Sequence, residues 1–82
     1  MAEQSTAATE LAIQAFAAVE TLALALADVL FEQGQPATGE AMLTRFADGC
    51  EAQLPPSDLR DGLVRAARAR SELLHALSRG SR

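Results

Sequence analysis

The stretch AFAAVETLALALADVLF, residues 15–31, decides how this chain folds, because it is apolar on more sides than one helix of a small monomer readily hides. At about 100° per residue, one seam of such a helix reads Ala12, Phe16, Val19, Ala23, Leu26, Leu30. An adjacent seam reads Leu11, Ala15, Ala18, Leu22, Ala25, Val29. Both alternate steps of four and three, as helix packing requires. Ile13, Leu24 and Phe31 lie on a third side, and only a narrow stripe of Glu10, Gln14, Thr21, Asp28 and Glu32 suits water. A helix apolar over most of its circumference belongs at the centre of a bundle or an oligomer.

Punctuation on either side of this stretch sets out the rest. Gly34 is placed to end the first helix in a left-handed cap, and Pro36 or Thr38 opens a second one. The prolines of LPPSD forbid continuation of that helix, Ser57 is placed to cap a third, and Gly80 stops it. The expected helices are 7–33, 37–53 and 58–78, in one small all-α domain spanning residues 1–82. The second is amphipathic, with Gly39, Met42, Leu43, Phe46, Ala47, Cys50 and Leu54 on its core face. The third offers Leu59, Leu63, Ala66, Leu73, Leu74 and Leu77. Two such helices cover two sides of the first. The side left over, Leu11, Ala15, Ala18, Leu22, Ala25 and Val29, is the expected oligomer interface, with a homodimer the simplest closed solution.

Composition agrees with this picture. At 82 residues, with 49% of them apolar but no Trp or Tyr, the core is built from Leu and Ala, which favours close-packed helices over a sheet. A domain this small sits near the margin of stability alone. One cysteine, Cys50, excludes an internal disulfide and suits a reducing, cytoplasmic compartment. MAEQSTAATE has no positive charge ahead of the apolar run, which argues against a secretory signal, and Gln14, Glu20 and Asp28 argue against a membrane span.

Candidate chemistry is sparse. Glu72 and His75 have the Glu-x-x-His spacing of di-metal bundles, which makes a metal-binding helical bundle the lesser alternative reading, but the wheel turns Glu72 away from the apolar face, so no metal or other cofactor is expected. Arg65, Arg68 and Arg79 form a stripe suited to phosphates, the basis of an alternative reading as a small DNA-associated regulator. The chain as a whole is acidic, no aromatic flanks the stripe, and Asp58, Asp61 and Glu72 interrupt it. Arg70 stands where the third helix's seam calls for an apolar residue, and Glu20 interrupts the first helix in the same way, so the two are a candidate specificity ion pair. With one His, one Cys away from any base, and no Gly-rich phosphate loop, catalysis is not expected. The expected role is a small interaction module, an adaptor, accessory or regulatory subunit that binds itself and another protein.

Overall fold

The computed structural model describes the backbone of residues 2–80 and the side chains of residues 7–80. Three helices follow one another: α1 (Ala2–Glu32), α2 (Pro36–Gln53) and α3 (Asp58–Gly80), and no strand occurs among the described residues. α1 begins at Ala2 rather than near residue 7, because neither Gly nor Pro interrupts AEQSTAATE. α3 likewise runs through Gly80.

The turns follow from their residues. Gly34 takes φ +80°, a left-handed conformation that costs a glycine nothing. Its N–H donates to the carbonyl of Phe31 (3.1 Å) and that of Gln35 to the carbonyl of Leu30 (2.7 Å), closing a Schellman motif. Pro36 then supplies the first residue of α2, where its missing N–H is no loss. α2 ends because Pro55 holds Leu54 extended, at φ −103° and ψ 142°. Ser57 caps α3 by accepting the Arg60 N–H at 3.0 Å, while Asp58 and Asp61 in the first turn and Arg79 in the last suit the helix dipole.

The helices run up, down and up in a rod of 56 × 17 × 14 Å. Its core is two stacked clusters. Toward the α2–α3 turn, Ile13, Cys50, Leu54 and Leu63 meet, with Phe16, Phe46 and Val64 around them. Toward the α1–α2 turn, Ala23, Ala27, Leu43 and Leu74 meet, flanked by Leu24, Phe31 and Met42. The Phe16 and Phe46 rings tilt against each other with centroids 6.0 Å apart, within the range of favourable aromatic pairs.

The expected face of α2 is the observed one: Gly39, Leu43, Ala47, Cys50 and Leu54 are buried, and Met42 and Phe46 are half-buried. The expected face of α3 is corrected. Leu63 and Leu74 are buried as expected, but Ala67 rather than Ala66 lies between them, and Leu59, Leu73 and Leu77 are exposed. The charged residues account for this rotation. Arg68 bonds Asp48 and Glu51 of α2, His75 bonds Glu40 of α2 at 3.0 Å, and Arg70 bonds Asp28 of α1 at 2.8 Å. The line Leu63, Ala67, Leu74 is the one that bisects those partners.

α1 and α2 approach closely at Ala27 and Gly39. A Cβ on Gly39 would stand 3.2 Å from the Ala27 carbonyl oxygen and 3.3 Å from its Cα, backbone atoms that yield only if the helices part. Nothing lies within 4 Å of a Cβ built on Gly49 in the same helix. Alanine improves a helix by about 1 kcal/mol over glycine, so Gly49→Ala raises the melting temperature. Gly39→Ala loses that gain to the displaced backbone and melts below Gly49→Ala. Equal gains from the two in thermal melts would contradict the close approach.

Candidate self-association surface

Three neighbouring lines of side chains run along α1, and the positions of α2 and α3 decide which of them is covered. Ala27 against Gly39, and Phe16 against Phe46, fix one side as the side of α2. Asp28, bonded to Arg70, fixes another as the side of α3. Ile13, Ala23 and Ala27 are buried between them, and Ala12, Phe16, Ala17, Leu24, Leu30 and Phe31 are half-buried. The remaining side lies open. Leu11, Ala15, Ala18, Leu22, Ala25 and Val29 are all exposed, Leu11 at 66% and Leu22 at 60% of their full area.

This surface is wider than the sequence suggests. Val19 and Leu26 belong by spacing to the seam of Phe16 and Ala23, yet they are 54% and 44% exposed. They sit at the edge of that seam that turns toward Ala15 and Leu22, a signal present in the helical angle but masked when each seam is taken as a line. The opposite edge is polar, with Gln14, Thr21, Asp28 and Glu32 exposed.

The chain exposes 5571 Å², whereas a globular monomer of 8.6 kDa exposes about 4,700 Å². The difference belongs to the whole chain, polar surface included, and follows from its rod shape of 56 × 17 × 14 Å. By length and composition alone, the segment Ala7–Glu32 would also suffice to cross a membrane. Within it stand Glu20 and Asp28, the latter paired with Arg70 of α3.

The candidate ion pair of Glu20 with Arg70 is corrected. Arg70 donates both its bonds to Asp28, at 2.8 and 2.9 Å, because α3 lies on the Asp28 side of α1. This pair is partly solvated and contributes at most about 1 kcal/mol. Glu20 turns instead toward the cluster around Cys50, where its Oε2 is buried without a hydrogen-bond partner. Burial pushes the Glu20 carboxyl up from its ordinary range. Burial, and then the neighbouring Glu20 charge, push the Cys50 thiol up as well, against a smaller pull from Arg60. A thiol so placed, with no exposed area, has little nucleophilic character.

Glu72 is exposed, His75 is engaged by Glu40, and no group of three metal-ligating side chains occurs among the described residues. Arg68 is held by Asp48 and Glu51, which places two acids on the stripe that Arg65 and Arg79 flank. An open depression of about 150 Å³ lies beside Thr44, Arg68, Ser71 and Glu72. The chain matches no protein-family model, no curated protein and no solved structure. What the fold defines is therefore a class by architecture: an all-α chain of three helices whose first helix carries an uncovered apolar face.

Glu20 gives a pH dependence of known sign. Its folded pKa lies above the ordinary 4.5 of the unfolded chain. Folding therefore favours the protonated carboxyl, and the stability this contributes is full below pH 4.5 and lost as the pH rises through the folded value. Glu20→Gln keeps the shape without the charge. Its melting temperature exceeds that of the wild type at pH 7, and the gap narrows as the pH falls toward about 4. A gap that stays constant over that range would show that the charge of Glu20 has no part in it.

Proposed function

We propose that this chain is a self-associating helical interaction module, an adaptor or accessory subunit that acts by holding rather than by catalysis. Two copies pair through the Leu11, Ala15, Ala18, Leu22, Ala25, Val29 face of α1, and the assembly serves another protein in a reducing compartment such as the cytoplasm. The observation that carries this reading is the apolar face itself. It runs along α1 through Leu11, Val19, Leu22, Leu26 and Val29, each at least 44% exposed. Soluble monomers seldom expose a contiguous apolar patch of that extent.

Pairing with a second copy is favoured over membrane insertion because α1 is tied on its two other sides. Insertion would separate Ala27 from Gly39, break the Asp28–Arg70 pair, and carry Glu20 and Asp28 into hydrocarbon. Association instead leaves every one of these contacts in place.

Because Leu22 is exposed in the single chain, Leu22→Glu spares the fold while placing a charge in the paired surface. The melting temperature of the wild type rises with protein concentration between about 1 and 100 µM, as folding coupled to association requires. That of Leu22→Glu is lower and independent of concentration, with the helical circular dichroism retained. A wild-type melting temperature that does not change with concentration would overturn the reading.

A further inference from the structure

We draw no further inference here: the strongest candidate, the second apolar surface patch, formed on α3 by the exposed Leu59, Leu73 and Leu77, carries nothing because nothing in the structure shows what covers it.

Discussion

A methyl group on Gly39 would stand 3.2 Å from the Ala27 carbonyl oxygen, a contact with room only if the backbone gives slightly, and this close approach of α1 and α2 governs what the rest of the molecule can do. It sets α2 against one side of α1 and, through the tight Gly34 turn, brings α2 back along it. α3 then has one groove to fill, lined by Leu43 and Ala47 of α2 and by Ile13 and Ala23 of α1, all buried. With two neighbours so placed, the third side of α1 has no chain left to meet it. The apolar face of Leu11, Leu22 and Val29 is thus a consequence of the packing inside the bundle.

Electrostatics then selects the rotation of α3. Its apolar residues offer two overlapping lines, one through Leu59, Leu73 and Leu77 and one through Leu63, Ala67 and Leu74. The larger line is the one left exposed. Ala67 permits a closer approach than a leucine would. Arg68 and His75 also reach the acids of α2, and Arg70 reaches Asp28 of α1, only when Ala67 points inward. Each pair contributes little singly, but together they specify an angle that the hydrophobic pattern leaves open. They also join the acidic first half of the chain to the arginine-rich second half.

Much of the fold was legible because it depends on local chemistry. The Gly34 cap, the Pro36 start, the Ser57 cap and the amphipathic face of α2 each follow from residues adjacent in sequence. The partner of Arg70 was not legible. Glu20 and Asp28 are both acids on α1, and only the side on which α3 packs distinguishes them. The same holds for Leu59, Leu73 and Leu77, whose exposure depends on the angle of α3, and for Val19 and Leu26, whose seam is covered at Phe16 and Ala23 but not at its edge. Of the candidate site, the sequence places the residues on one face of one helix. That this face remains outside the three-helix packing is a tertiary fact.

Whether a second copy covers the open face of α1 in solution decides the role proposed for this chain. Sedimentation equilibrium of the wild-type chain, over about 0.5 to 50 µM at neutral pH, measures this most directly, since dilution shifts a self-association by mass action. The expected mass is twice that of the 8.6 kDa chain at the upper end, falling toward the chain mass on dilution. A cooperatively folded species of single-chain mass at every concentration would contradict it.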